Sequence, residues 1–216
     1  EPAVRDVATA RRLIRLFALL QKDDKLDQKS RWQYLRKNKD LANELARTIR
    51  FGDSKRCDDL PKVFALLDRL REKHGDRLND FSTLTASICV VHDRAITRHM
   101  NENTVKGSDP ITLFEYYVQN EKSMYFGIRN MPAELLIYVV DSTASPLEMQ
   151  WALAKFAKNP NLGARFFEIN YDHNHVRTGS TKQVTKLGYT LDNIQKYGGV
   201  CIDQAYFATQ VGKAQG

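Results

Sequence analysis

The 216-residue chain contains no apolar run approaching the roughly 20 residues that a membrane-spanning helix requires. We therefore expect no membrane partner. Apolar residues make up 42% of the sequence and charged residues 27%, which is ordinary for a globular protein. A chain of this length buries roughly 70% of the surface of its extended form. The sequence thus predicts a real hydrophobic core, in one large domain or two small ones.

Cysteine is scarce, with only Cys57, Cys89 and Cys201 in the chain. Three scattered cysteines are too few for a disulfide framework and lack the CxxC spacing of a zinc site. The sequence still allows one disulfide between two of them and one free thiol. We predict no metal and no cofactor, and Cys89, beside an apolar helical stripe, is interpreted as a small buried residue.

The chain begins with Glu1-Pro2 and therefore lacks an initial Met. It also has no basic and apolar signal segment. We interpret this as removal of an N-terminal piece or as an excised domain. The compartment stays undecided, and an extracytoplasmic location after removal of such a piece is left open.

The C-terminal part of the chain has no net charge, apart from its histidines. Residues 1–75 carry 19 Lys/Arg and 12 Asp/Glu, a net charge of +7, whereas residues 76–216 carry 14 of each. The N-terminal cations alternate with acids and spread around helical faces, as on a solvated surface. This pattern does not favour nucleic-acid binding, which we keep as the third hypothesis for function.

Helical periodicity dominates the first hundred residues, where apolar side chains recur at i, i+3, i+4 and i+7. A helix from about Asp40 to Arg50 is expected to end at Gly52, and another is expected between a capping Asp59 and a terminating Gly75. The predicted buried stripes are Leu13, Phe17 and Leu20; Ala42, Leu45, Ala46 and Ile49; Val63, Leu66, Leu67 and Leu70; and Phe81, Leu84, Ile88, Val91 and Ala95.

Later helices have local start signals. The predicted starts are Asp109-Pro110, Met131-Pro132, the capping box Ser145-Pro146-Leu147-Glu148, and Thr190. The run after Pro132 also fits a strand, but its proline-led start favours a helix. The alternation over residues 164–172 predicts a strand, residues 184–187 a second one, and the polar segment between them a turn. The predicted fold class is mainly α (α+β), with many helices and a small β-hairpin.

Two candidate sites follow from these patterns. His173 and His175 would project to one side of a strand and could bind a metal, but no third ligand is identifiable and a polar turn is favoured. His92 and His99 lie two helical turns apart, roughly 10.5 Å, too far to share an ion.

The stronger candidate is Cys201, which follows Gly198-Gly199 and begins a predicted helix. A helix N-terminus provides partial positive charge and unpaired N–H groups, which favour a reactive thiolate and can stabilise an oxyanion. The two glycines permit a sharp turn and a close approach by a substrate backbone. A buried structural cysteine fits the same residues equally well.

Residues 189–216, "YTLDNIQKYGGVCIDQAYFATQVGKAQG", resemble the nucleophile segment of the transglutaminase-like superfamily of papain-like cysteine enzymes. The matching positions are Leu191, Ile194, Gly198, Gly199, Cys201, Asp203, Ala205 and Gly216. More weakly, "PAELLIYVVD" and "EMQWALAKF" resemble the helical lead-in of bacterial members. The resemblance implies two domains: residues 1–125, a helical region of unknown role, and residues 126–216, the N-terminal part of a transglutaminase-like domain whose sheet is absent.

The resemblance further implies that Cys201 attacks a protein or peptide amide through a thioester, for hydrolysis or transfer, aided by a histidine and an acid. In the family both partners follow the cysteine helix, and all five histidines here precede it. We therefore expect a truncated chain that is inactive without the missing C-terminal part of the same protein. Gln195 is a weak candidate for assisting the oxyanion.

A non-catalytic helical interaction module is the alternative hypothesis. It is supported by the long helical region before residue 125, for which we identify no family resemblance, and by the missing histidine and acid. A native chain without a downstream histidine would favour it.

Overall fold

A computed structural model describes residues 2–22, 28–51, 57–129 and 131–216. This part of the chain is mainly helical, as predicted, with a small antiparallel hairpin. The α-helices are α1 (Pro2–Lys22), α2 (Gln28–Lys37), α3 (Lys39–Thr48), α4 (Leu60–His74), α5 (Ser82–Val91), α6 (Pro110–Asn120), α7 (Ala133–Val140), α8 (Pro146–Phe156), α9 (His173–Thr178), α10 (Gln183–Leu187), α11 (Leu191–Tyr197) and α12 (Cys201–Ala214). Short 3-10 helices cover Gly75–Phe81, Glu121–Ser123 and Leu162–Glu168.

The chain divides into two compact units. The first contains residues 1–94 and 131–137, and the second contains residues 95–130 and 138–216. These units describe packing, whereas the boundary at residue 125 concerns a family domain and stays a prediction.

In the first unit, α3 packs against α1, α2 and α5, and α4 packs against α5. The predicted stripes of α3 and α4 are buried as expected. Asp59 caps α4 by accepting a hydrogen bond from the Lys62 amide, and Gly75 follows its end with φ +55°. Helix ends with local side-chain signals are thus predicted well. The expected end at Gly52 lies outside the described residues.

Two N-terminal stripes need correction. In α1 the buried residues are Leu16 and Leu20, while Leu13 and Phe17 stay partly exposed. The predicted fourth stripe is too long, because α5 ends at Val91 and Ala95 lies exposed beyond it. Cys89 is fully buried, as predicted, and desolvation raises its pKa above the usual value.

The hairpin of the second unit lies elsewhere than predicted. Strand β1 (Thr97–Met100) pairs with β2 (Asn103–Lys106), with Thr97 opposite Lys106 and Met100 opposite Asn103. Asn101 adopts φ +54° in the two-residue turn, a conformation that Asn tolerates better than most residues. This short segment lacks the long alternation that identifies a strand from sequence.

The predicted strand at residues 164–172 and the predicted second strand at residues 184–187 are wrong. The first region forms the 3-10 helix Leu162–Glu168, in which Arg165 pairs with Glu168 at 2.6 Å, an i, i+3 contact that a helical turn favours. The second region is α10, and the predicted turn between them contains α9, capped by Asp172. Alternation of apolar and polar side chains therefore did not identify a strand in this region.

Helix starts in the second unit are confirmed. Asp109 caps α6 by accepting from two backbone amides, and Thr190 caps α11. Ser145 and Glu148 form both hydrogen bonds of the predicted capping box at α8. The start after Pro132, which lies in the first unit, is also confirmed, since α7 begins at Ala133.

Among the described residues, no helix is both long and apolar enough to cross a membrane.

Candidate functional site

The backbone just before Cys201 is held against an earlier segment of the same unit. The Gly199 amide donates to the Asn170 carbonyl at 3.0 Å, and the Asp172 amide donates to the Gly199 carbonyl at 2.8 Å. These two bonds form a parallel bridge between Tyr171 and Gly199. The path of the chain into α12 is therefore determined by tertiary contacts as well as by its glycines.

Both glycines fill positions that no larger residue fits. Gly198 has φ +79°, and a Cβ there would collide with the Asn170 carbonyl oxygen. A Cβ at Gly199 would lie 2.5 Å from the Cβ of Asp203. Close packing on Asn170 and Asp203 thus requires glycine at these two positions, a requirement that the sequence pattern does not reveal. Their predicted contact with a substrate backbone remains a prediction.

Cys201 is the first residue of α12, as predicted, and its side chain is exposed. The first amides of a helix lack i−4 partners, and the thiol lies at this end of α12, where the Asp203 amide donates to the Val200 carbonyl at 2.8 Å. The other side of α12 is buried, including Tyr206, Phe207 and Val211. The Phe207 ring meets that of Trp151 edge-on at 6.4 Å between centroids.

A buried ionic cluster holds the N-terminus of α12. The Lys182 ammonium donates to both carboxylate oxygens of Asp203, at 2.9 and 2.7 Å, and both side chains are fully buried. Asp203 also accepts from the Tyr189 hydroxyl at 2.7 Å and from the Val200 amide at 2.8 Å. Burial, reinforced by the hydrogen bond to Asp203, raises the pKa of Tyr189. The carboxylate therefore satisfies an otherwise unpaired helix-end amide while Lys182 neutralises its charge.

The sequence reasoning missed this cluster. Asp203 was recognised only as part of a resemblance, although an acid at the third position of a helix is a usual capping residue. Lys182 had no local signal, because it lies 21 residues before its partner in a segment read as polar. Lysine is almost never fully buried without such a partner.

Further polar contacts fasten the rest of α12. The Gln204 side-chain amide donates to the Ile169 carbonyl at 2.9 Å, and the Gln210 side-chain oxygen accepts from the Ser142 hydroxyl at 2.8 Å. At the C-terminal end, the Tyr116 hydroxyl donates to the Ala214 carbonyl at 2.7 Å. The helix that carries the thiol is therefore anchored at both ends and along its buried side.

The histidines do not form the metal site that a strand would have allowed. His173 and His175 lie in α9, where positions i and i+2 project to different sides. His175 contacts the Ser180 carbonyl at 2.7 Å, and the His173 ring packs beside Tyr171. In the described ranges, no group of three His, Cys, Asp or Glu side chains is placed to hold a metal ion.

The Cys201 sulfur has no hydrogen-bonded proton acceptor among the residues that the structure describes. Neither a histidine nor a carboxylate among them hydrogen-bonds the Cys201 sulfur. Gln195, the weak oxyanion candidate, accepts a hydrogen bond from Lys155 instead. Within the described residues, the site is thus a positioned thiol at a helix start, without a hydrogen bond to a histidine or a carboxylate.

Comparisons with protein-family models, with curated proteins and with solved structures found no match to this chain.

Replacing Lys182 by Met should lower the free energy of unfolding by about 3–5 kcal/mol, because the Asp203 carboxylate stays buried without its cation. Lys186 is exposed in α10, four residues after Lys182, so Lys186→Met is a matched control. It should change the free energy of unfolding by less than about 0.5 kcal/mol. Urea unfolding followed by circular dichroism measures both. A loss below about 1 kcal/mol at Lys182 would contradict the role assigned to this pair.

Gly198→Ala should cost more than about 2 kcal/mol, since it adds a collision with backbone to the strain of a positive φ. Two controls separate these causes. Gly179 has φ +71° with open space around it, so Gly179→Ala should cost about 1 kcal/mol from strain alone. Gly163 has neither feature, and Gly163→Ala should be nearly neutral. Equal costs at Gly198 and Gly179 in urea unfolding would argue against the close packing on Asn170.

Proposed function

We propose that this chain provides the nucleophile of a transglutaminase-like thiol enzyme that acts on protein or peptide amides through a Cys201 thioester. One observation carries the proposal: the exposed thiol occupies the first position of a 14-residue helix whose start is held by a buried ionic cluster. Rigid placement of a nucleophile is what acyl transfer requires, because misplacement of a reacting group is costly. Hydrolysis and transfer both fit.

The other two cysteines suit this role less well. Cys89 is fully buried and its thiol is hard to ionise, while Cys57 is partly buried in a loop between helices. Cys201 alone combines exposure with a helix N-terminus. A helix N-terminus provides partial positive charge and amide donors, which suit the oxyanion of a tetrahedral intermediate.

In such an enzyme the histidine and the orienting acid would lie outside residues 1–216. A thiol without a base loses most of the activation that acyl transfer needs. We therefore expect these 216 residues alone to be inactive toward amides, while Cys201 keeps the reactivity of its helix end.

A non-catalytic interaction module is the second candidate. The second unit exposes several large apolar side chains, among them Leu147 at 84%, Phe167 at 82% and Phe126 at 63%. Such side chains can contact a partner, although single exposed apolar residues are common.

Cys201 should react with iodoacetamide at pH 7 faster than Cys57 and Cys89 in the folded protein. Exposure alone would give this order, so a matched thiol is needed. Ala205 is exposed one helical turn further along the same face of α12, and Cys201→Ala combined with Ala205→Cys moves the thiol away from the helix end. We expect Cys201 to react at least about threefold faster than the moved thiol.

Peptide mass spectrometry resolves the rate at each cysteine, and each rate is divided by that of the same peptide in denaturant. Equal or slower reaction at Cys201 than at the moved thiol would remove the electrostatic basis of the proposal. Fragmentation sequencing of the native polypeptide tests the missing partners: a histidine followed by Asp or Asn beyond residue 216 supports the enzyme, and their absence supports the interaction module.

A further inference from the structure

Five arginines converge on one cavity of the first unit. Arg11, Arg12 and Arg15 come from two successive turns of α1, and Arg47 and Arg50 come from the end of α3 and the residues after it. The cavity has a volume of about 440 Å³. Its lining is completed by Thr48, Ile49 and Phe51.

Only part of this charge is neutralised. Arg47 pairs with Glu44 at 2.9 Å and with Glu134 at 3.3 Å, and Arg50 pairs with Asp58 at 2.6 Å. These carboxylates hold the two guanidinium groups in position at the cavity.

The carboxylates that the structure describes do not pair with Arg11, Arg12 or Arg15 of α1, and all three arginines are exposed. Arg12 donates to the backbone carbonyl of Arg47, and the Arg15 guanidinium lies 5.2 Å from the centroid of the Phe51 ring. Two of the three are thus oriented by contacts that involve no carboxylate of the described residues.

We propose that this cavity binds a small, multiply phosphorylated anion through the five arginines. Guanidinium groups present planar pairs of donors that match phosphate oxygens, and several around one concave site can engage adjacent phosphates. The volume lies within the range of small-molecule sites, roughly 300–1,000 Å³. This proposal is independent of Cys201 and of the enzyme hypothesis.

The shape of the site favours a compact ligand over a nucleic acid. Nucleic-acid surfaces present cations along an extended stripe that follows the phosphate backbone. Here five arginines meet at one cavity, whereas the other cations of residues 1–75 alternate with acids.

The test is isothermal titration calorimetry of the whole chain at 150 mM NaCl without divalent cations. The probes are sodium tripolyphosphate, ATP, adenosine and a 20-nucleotide single strand. We expect one tripolyphosphate per chain with a dissociation constant below about 1 mM. ATP should bind and adenosine should not, and tighter binding of ATP than of tripolyphosphate would assign the site to a nucleotide rather than to a free phosphate chain.

Arg11→Gln with Arg15→Gln should weaken tripolyphosphate binding at least about tenfold. The matched control, Arg69→Gln with Arg77→Gln, removes two exposed arginines of the same unit and should change affinity less than about twofold. If the first double variant does not fold by circular dichroism, Arg11→Gln alone replaces it, with an expected loss of at least about threefold.

Three results would overturn the proposal. No heat at millimolar tripolyphosphate removes the site, and equal weakening by both double variants reduces it to diffuse attraction by net charge. Tighter binding of the oligonucleotide than of tripolyphosphate, with steep loss on adding salt, would assign the arginines to nucleic acid.

Discussion

The ion pair between Lys182 and Asp203 is the interaction on which the candidate site depends. Removing two charges from water is costly, and it is compensated only when the remaining hydrogen-bonding capacity of both groups is used. Asp203 meets this condition through Tyr189 and the Val200 amide. As a result one buried carboxylate joins the start of α12, the loop before α10 and the loop before α11. The direction in which the Cys201 thiol leaves the helix follows from that junction.

Local signals in the sequence predicted the helix starts well, because a cap satisfies backbone amides within three residues of itself. Asp59, Asp109, Thr190 and the Ser145 capping box all act at that range. The hairpin was predicted in the wrong place, because alternation over residues 164–172 reflects neighbouring aromatic residues and not two faces of a sheet. Strand formation depends on a distant partner, and no such partner is visible in local periodicity.

The site was predicted in part, for the same physical reason. The position of Cys201 at a helix start could be read from Gly198 and Gly199, since breaking and starting a helix are local events. The burial of Lys182 could not, because it depends on a carboxylate far along the chain. The arginine cavity could not be predicted for the same reason. The cations of residues 1–75 are interleaved with acids along the sequence, and only the packing of α1 on α3 brings these five arginines together. Charge patterns in one dimension therefore underestimate charge density in space.

The tyrosine hydroxyls at the C-terminal end of α12 have a consequence for folding kinetics. Tyr116 reaches the Ala214 carbonyl and Tyr117 the Lys213 carbonyl, contacts that join residues 98 and 96 positions apart. Closing such long loops orders much chain before any contact compensates for the lost entropy, so these bonds belong to the late steps of folding. Until the Tyr116 contact closes, the Ala214 carbonyl lacks this donor. The thiol-bearing helix of this mainly helical protein should therefore reach its final position more slowly than its local helical character suggests.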